Sequence, residues 1–324
     1  MVIRNNKMLI LGTIPPPIGG VSIHTDRLIS YLKKKRIPFK FLDIRRNNLK
    51  DILVAGFKSE YIHLHTSNSY FRLLVIIFFS FIGKRVIFTF HGNLGRYKGF
   101  RNFLDVLSIK AAFLPILIND SSYKSALRYN SQSKQIPAFI PPQVEEQLPK
   151  TVTLRINELK ETYGFVFATN AFGFVYDRYG RETYQITTLI ELFSELKMAL
   201  VVADPSGSYK SHYIKNQVYL PSNILLISER YSFYEVLKLS DCLLRITTTD
   251  GDSLSVKEAL HLNRLVVASN VVNRPEGTFL VGLSKQEIRE GILIAPSNPR
   301  PRTAVVNGAE IVAEVYQKLI NSRS

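Results

Sequence analysis

Cysteine and long hydrophobic runs are both scarce in this chain. Its 324 residues include one cysteine, Cys242, inside an apolar run, which excludes a disulfide framework and predicts a buried thiol in a reducing compartment. The longest apolar run, Leu73 to Gly83, has eleven residues, whereas a membrane-spanning helix needs about 20. The N-terminal run MLIL is too short for a signal peptide, so a cytoplasmic protein is expected.

Several binding signatures are also missing. The chain has no GxGxxG fingerprint, which disfavours an NAD-dependent enzyme. It has no helix-turn-helix, zinc-finger or RNA-recognition signature, and a basic surface alone is weak evidence for nucleic-acid binding. No nucleic-acid partner is therefore expected.

Positive charge is present, and it is unevenly placed. Of the formal net charge of +16, residues 1–150 carry +15, with 23 Lys and Arg against 8 Asp and Glu. Basic residues near an anionic leaflet contribute about 1 kcal/mol each, so Lys33–Arg36, Arg45, Arg46 and Lys50 could hold the first half on a membrane. The run Leu73 to Gly83 fits either a buried helix or a membrane-dipping one. These features predict a peripheral protein on the inner face of the cell membrane.

Apolar strand-like runs alternate with helical stretches, which predicts an α/β protein with parallel sheets. Expected strands are Met8–Gly12, Phe39–Asp43, Tyr61–His65, Val86–Phe90, Pro115–Ile118, Phe165–Thr169, Ala199–Ala203, Ile224–Ile227, Cys242–Ile246 and Leu265–Ser269. A proline-rich stretch at 136–150 is the expected linker. The predicted domains are residues 1–145 and 146–307, two Rossmann-like doubly wound domains facing across a cleft. Residues 308–324 would form a terminal helix that crosses back to the first domain.

The segment TTTDGDSLSVKEAL, residues 247–260, carries the strongest functional signal. Asp250 precedes Glu258 by eight positions across a predicted strand-to-helix junction, and Ser253 is placed to cap the helix. Such a helix start is a natural seat for a phosphate, and Glu258 falls on the inner side of the helix. An ordinary amphipathic helix with acidic residues near its start is the alternative.

This segment resembles the acidic-x7-acidic motif of retaining glycosyltransferases of the GT-B fold, close to glycosyltransferase family 4. The resemblance implies that Glu258 binds the ribose of a UDP- or GDP-sugar and that Asp250 contacts its sugar. The glycine pair Gly19-Gly20, after a proline run, resembles the loop that opens the family's first domain and lies against the donor phosphate or the acceptor; both glycines are assigned to donor binding. GT-B enzymes generally need no metal, and the DxD pattern of Asp250 and Asp252 is rejected as a metal site because it opens a helix.

Histidines end two strands of the first half. His91 follows VIFTF and precedes Gly92, and the corresponding family histidine often lies near the anomeric carbon, which implies a catalytic role. His65 is expected on the acceptor side of the cleft, and His63 in the core. A metal site of these three is not expected, because no Asp, Glu or Cys completes it. Ser121, in a serine-rich turn, is expected to contact the acceptor.

Four cations and one acid of the second half follow predicted strands. They are assigned to donor binding: Arg178, Arg181, Lys210, Arg230 and Glu276. The family usually carries Lys-Gly where this chain has Tyr184-Gln185, so leaving-group stabilisation must come from Arg178, Arg181, Lys210 or Arg245, and the sequence does not choose among them.

The resulting hypothesis is a retaining hexosyltransferase that acts on a lipid-linked or surface-polysaccharide acceptor. Two alternatives stay open. A GT-B sugar-nucleotide epimerase would share the nucleotide site, and a non-catalytic membrane- or polyanion-binding module would explain the charge.

Overall fold

The computed structural model describes residues 7–16, 19–96, 99–217, 219–250, 253–301 and 305–321. The chain divides into two compact units. Unit 1 comprises Met1–Gln143 and Val306–Ser324, and unit 2 comprises Val144–Val305.

Unit 1 is built on a sheet of six parallel strands. They are β1 (Met8–Gly12), β2 (Lys40–Asp43), β3 (Tyr61–His65), β4 (Arg85–Phe90), β5 (Leu114–Leu117) and β6 (Lys134–Gln135), in the order β2-β1-β3-β4-β5-β6. The strand order reverses between β1 and β3. In doubly wound sheets, ligands collect outside the carboxyl ends of the strands at such a switch point.

Helices and apolar side chains cover both faces of this sheet. The helices are α1 (Gly20–Lys34), α2 (Leu49–Lys58), α3 (Ser69–Phe81), α4 (Phe100–Ala111), α5 (Asp120–Ala126) and the C-terminal α12 (Gly308–Asn321). α12 shares a hydrophobic cluster with α1 and the sheet. Its Tyr316 hydroxyl lies 2.6 Å from Nδ1 of His63, whose Nε2 lies 2.9 Å from Oγ1 of Thr89. His63 is therefore a satisfied core histidine, as predicted.

Unit 2 is a second parallel sheet of six strands, ordered β12-β11-β10-β7-β8-β9. The strands are β7 (Val166–Asn170), β8 (Ala199–Ala203), β9 (Ile224–Ile227), β10 (Cys242–Arg245), β11 (Leu265–Ser269) and β12 (Phe279–Val281). The helices are α6 (Lys150–Tyr163), α7 (Ile186–Glu195), α8 (Ser208–Lys215), α9 (Phe233–Leu239), α10 (Leu254–His261) and α11 (Lys285–Ile294), followed by a 3-10 turn at Ala295–Ser297. This is the Rossmann strand order, with its switch point between β7 and β10.

The predicted α/β class with two Rossmann-like sheets is confirmed, and ten of the twelve strands in the described part of the chain were predicted. The two that were missed are β6 and β12, which are only two and three residues long; both β6 residues are exposed. The predicted linker needs correction, because Ile136, Phe139 and Ile140 are buried within unit 1. The prolines of this segment predicted a linker between the domains, but the apolar residues between the prolines are buried in unit 1.

Helix α3 shows why the apolar run Leu73 to Gly83 was ambiguous. Its inner side is buried through Arg72, Val75, Ile76 and Phe79, while apolar side chains also point outward. Leu74 is 65% exposed, Ile77 53% and Phe81 90%. Among the described residues, no helix combines the length and apolar character needed to cross a bilayer.

A buried ion pair anchors the inner side of α3. Arg72 donates to Asp105 of α4, and both side chains are at most 3% exposed. Ser69 donates to the same carboxylate over 2.6 Å, and the Arg72 guanidinium lies over the ring of Phe90 at 4.9 Å. Each charge of this pair therefore has a partner, as a buried charge requires.

Candidate functional site

The carboxyl ends of β7 and β10 meet at the switch point of unit 2. Arg245 ends β10, and its guanidinium donates to the carbonyl and side-chain oxygens of Asn170, the last residue of β7, over 3.3 and 3.4 Å. Because this is the edge of the sheet where doubly wound proteins bind ligands, Arg245 is placed as a cation at the expected ligand position. The sequence had named Arg245 as one of four alternatives.

Asp250 lies between two arginines. Arg245 donates two hydrogen bonds to it, Nε to Oδ2 and Nη2 to Oδ1, each of 3.0 Å. Arg274 donates from Nη1 to Oδ2 over 2.7 Å. Burial alone would raise the pKa of this carboxyl, but the hydrogen bonds and charges of the two arginines outweigh burial and hold the pKa below its usual value. Asp250 is therefore an ionised residue that aligns two guanidinium groups.

Glu258 and Ser253 lie on α10, directly after this cluster. Glu258 is buried, with 4% of the residue exposed, as its place on the inner side of the helix predicted. Ser253 is the N-cap residue, but its side chain makes no capping hydrogen bond; its hydroxyl lies 3.1 Å from that of Ser255. The expected capping bond is thus wrong, and the Ser253 side chain leaves the first-turn N–H groups to other acceptors. Asp252 of the rejected DxD pattern lies outside the described residues.

Residues 182–185 stand before α7, where the family resemblance predicts Lys-Gly. Tyr184 stands at the lysine position, and the guanidinium of Arg245 lies over its ring at 5.4 Å. Gln185 has a positive φ of 51°, a conformation that favours glycine. Glu182 accepts from the backbone N–H of Ile186 over 2.7 Å and from the Tyr209 hydroxyl over 2.6 Å. A carboxylate therefore occupies the start of α7, where an anion would otherwise sit.

The other predicted donor contacts are exposed: Arg178, Arg181, Lys210, Arg230 and Glu276. Arg181 is paired with Asp177 over 2.9 Å and lines a cavity of about 570 Å³ together with Glu182, His212 and Thr248. Arg178 lies over the ring of Tyr179 at 4.7 Å. Among the described residues, no hydrogen bond or ion pair joins Arg178, Arg181, Lys210 or Arg230 to the Arg245–Asp250–Arg274 cluster.

Three histidines come together in unit 1, at the carboxyl ends of β3 and β4. Nδ1 of His65 lies 3.2 Å from Nε2 of His91, and the ring of His24 from α1 lies 4.8 Å from that of His91. Burial lowers the pKa of His24 to about 4 and holds those of His65 and His91 well below their usual value. All three are neutral at pH 7. Sequence reasoning overlooked His24 because it lies on a helix, far from the strand ends in the chain.

Gly19 and Ser121 are placed as the sequence suggested, at element starts of unit 1. Gly19 is the N-cap of α1 with extended backbone, and a Cβ added at Gly20 would meet no atom within 4 Å. Packing against the described residues therefore does not demand glycine at position 20. Ser121 is exposed in the first turn of α5, and its hydroxyl donates to Asn119 over 3.0 Å.

Solved structures share this architecture. The Anabaena protein Alr3699/HepE in complex with UDP matches with a TM-score of 0.66 and 14% identity, over 98% of this chain and 99% of that chain. A glycosyltransferase from Rickettsia africae matches with 0.61 and 14%, over 98% and 95%. The UDP-GlcNAc 2-epimerase of Methanocaldococcus jannaschii matches with 0.63 and 13%, over 96% and 99%.

In sequence, no family model matches the chain, and no curated protein does. At identities this low, the likeness to solved structures shows the fold. The chain has the GT-B fold, in which each unit is a Rossmann-like domain.

Proposed function

We propose that the protein is a retaining glycosyltransferase that uses a nucleoside-diphosphate sugar, with UDP or GDP as the nucleotide. The observation that carries this proposal is the Arg245–Asp250–Arg274 cluster at the switch point of unit 2, beside the start of α10. Positive charge and a helix N-terminus at that place suit a diphosphate. The fold neighbour HepE binds UDP, which supports the choice of ligand class.

Each residue has a defined part in this proposal. Arg245 stabilises the departing diphosphate, in place of the lysine that Tyr184 replaces, and Arg274 assists it. Preorganised cations aimed at developing charge contribute several kcal/mol, about 10²–10³ in rate for one donor. Asp250 aligns both guanidinium groups and contacts the donor sugar, while Glu258 binds the ribose. Arg178, Arg181, Lys210, Arg230, Ser253 and Glu276 border the nucleotide.

Unit 1 would supply the acceptor side of the reaction. His91 and His65 are neutral at pH 7 because burial disfavours their charged forms, so His91 can accept a hydrogen bond from a sugar hydroxyl. The family resemblance assigns Gly19 and Gly20 to donor binding, and Ser121 is an exposed hydroxyl for the acceptor. A lipid-linked acceptor, a precursor of a surface polysaccharide, would match the charge of residues 1–150.

Proton NMR of donor turnover tests this proposal. The protein is incubated with UDP- and GDP-hexoses, with and without a short-chain polyprenyl-diphosphate sugar as acceptor. We expect release of the nucleoside diphosphate that depends on the acceptor, and a product whose anomeric configuration equals that of the donor. Arg245→Ala should slow this release about 10²-fold or more. Conversion of the donor to its epimer without acceptor would instead establish an epimerase.

We further propose that an anionic membrane surface binds unit 1 at the aromatic patch of α3 and α4. This patch is defined by side chains that are 53–90% exposed: Tyr70, Leu74, Ile77, Phe81, Phe100 and Phe103. Their rings contact one another, with Tyr70 to Phe100 at 6.3 Å and Phe100 to Phe103 at 6.2 Å. Exposed apolar surface of this kind marks an interaction site, and Arg101 borders it.

Vesicle sedimentation tests the membrane proposal. Wild type should bind phosphatidylcholine vesicles that contain phosphatidylglycerol, and bind pure phosphatidylcholine vesicles less. Leu74→Glu with Phe81→Glu should weaken binding at least about tenfold, since each apolar side chain contributes about 1.5–3 kcal/mol on full burial. The matched control is Leu154→Glu, at a 60% exposed leucine of unit 2. Equal binding by both variants would exclude the patch as the contact.

A further inference from the structure

Three imidazoles of unit 1 converge on one point. One ring nitrogen each from His24, His65 and His91 lies within 4.8 Å of the other two, and the ring centroids are 4.8–5.4 Å apart. The point lies at the carboxyl ends of β3 and β4, beside the β1–β3 switch point where ligands of such sheets collect. We propose that this three-histidine group binds one divalent transition-metal ion, with Zn²⁺ as the first candidate.

One distance in the group already matches a tetrahedral metal site, and the others, up to 4.8 Å, would have to shorten on binding. Two nitrogens that each lie about 2.0–2.1 Å from Zn²⁺ are about 3.4 Å apart in tetrahedral geometry. Nδ1 of His65 and Nε2 of His91 are already 3.2 Å apart. Little movement is needed to direct both lone pairs at one ion.

His24 is oriented as a ligand by a carbonyl group. Its Nδ1 lies 2.9 Å from the backbone oxygen of Ala138. Because a carbonyl oxygen only accepts hydrogen bonds, Nδ1 carries the proton and Nε2 keeps its lone pair. Histidine ligands of metals are usually held in this way by a backbone carbonyl or a carboxylate.

The two ring nitrogens of His65 have different surroundings. Nδ1 faces His91 and is the atom offered to the ion, while Nε2 is buried and has no hydrogen-bond partner among the described residues. The neighbouring His63, by contrast, uses both ring nitrogens within the protein. The cluster thus singles out three histidines and leaves the fourth in the core.

The donor set selects the class of metal. Imidazoles alone, with no carboxylate in the group, suit Zn²⁺, Cu²⁺ or Ni²⁺, whereas Mg²⁺ and Ca²⁺ take oxygen ligands. Arg72, a cation that acts on His91, is itself paired with Asp105. His91 is partly exposed, which leaves a fourth position for water or another oxygen ligand.

Metal titration of the full-length, chelator-treated protein tests this inference. Co²⁺ should produce the visible absorption of a four- or five-coordinate ion, and one equivalent of Zn²⁺ per chain should abolish it. His24→Ala and His65→Ala should each weaken Zn²⁺ binding by at least about 100-fold, more than the loss of an outer-shell partner. His261→Ala, at the exposed end of α10 in unit 2, is the matched control and should bind as wild type does.

Folding is monitored separately by circular dichroism, with His24→Gln as a second variant in case His24→Ala is unfolded. Zn²⁺ should raise the midpoint of thermal unfolding for wild type and His261→Ala, and leave it unchanged for the folded His24 variant. Absence of stoichiometric Zn²⁺ binding by folded wild type would overturn the inference, as would equal binding by the His24 and His65 variants. The result is independent of the nucleotide site, because all three ligands belong to unit 1. An ion bound by His91 would take the lone pair that the proposed function otherwise offers to a sugar hydroxyl.

Discussion

Replacing Asp250 with alanine is expected to lower the free energy of unfolding of unit 2 by about 3–5 kcal/mol, the typical result of removing one partner of a buried ion pair. The side chains of Asp250, Arg245 and Arg274 are only 7%, 12% and 2% exposed, so the variant would leave two guanidinium groups without their carboxylate. Sugar transfer should fall about 10²-fold, because the arginines would no longer be aligned. Chemical denaturation and donor turnover measure the two effects.

The surface pair Arg155–Glu158 provides the matched control within unit 2. Its side chains are 42% and 59% exposed, so Glu158→Ala should change stability by less than about 1 kcal/mol. The pH dependence gives a second check. The pKa of Asp250 is lowered in the folded protein, so its contribution is present at neutral pH and is lost as the pH falls below about 4. Asp250→Asn should remove this loss; the same acid sensitivity in both proteins would contradict the role given to Asp250.

Replacing Asp105 with alanine is expected to destabilise unit 1 by a similar amount, about 3–5 kcal/mol. Arg72 would remain as a buried cation, and the hydroxyl of Ser69 would lose its 2.6 Å acceptor. Hydrogen exchange at the amides of β3 and β4 reports this unit separately, which matters because a chain of two units need not unfold in one step.

Two further variants distinguish a buried charge from general damage. Lys124→Ala removes the exposed pair with Asp120, whose side chains are 73% and 58% exposed, and should cost less than about 1 kcal/mol. Replacing both buried partners with apolar residues, as Arg72→Met with Asp105→Leu, should recover most of the lost stability, because the uncompensated charge is gone. A double variant as unstable as Asp105→Ala would show that packing, and not charge, dominates there.

The fold was predictable because buried parallel strands leave continuous apolar runs in the sequence. Met8–Gly12 and Leu265–Ser269 were placed to the residue. β6 and β12 have only two and three residues, too few for any pattern, and they form because the sheet edge offers them partners. The burial of Phe139 likewise depends on tertiary contacts, which cannot be predicted from a proline-rich segment alone.

The site was predictable where local sequence determines it. Asp250 and Glu258 belong to one strand-to-helix junction, so their spacing is visible in the chain. Arg274 lies 24 residues beyond Asp250 and reaches it from the loop after β11, and His24 reaches His91 from a helix. Such pairings come from topology, which brings the carboxyl ends of distant strands together. The sequence offered only a weak signal for each residue. Arg274 is a cation in the loop after a predicted strand, and His24 is a histidine in the helix that follows one.

Calorimetric binding of UDP, GDP, ADP and CMP to wild type and to Glu258→Gln tests the central claim most directly. One nucleotide should bind wild type, and Glu258→Gln should bind it less tightly by about 1.5–3 kcal/mol, or about 10–150-fold, as expected when a hydrogen bond to a charged group is lost. Glu161→Gln, at an exposed position of α6, should bind as wild type does. If no nucleotide binds the folded protein, or if Glu258→Gln binds as tightly as wild type, unit 2 is not the nucleotide-sugar site described here.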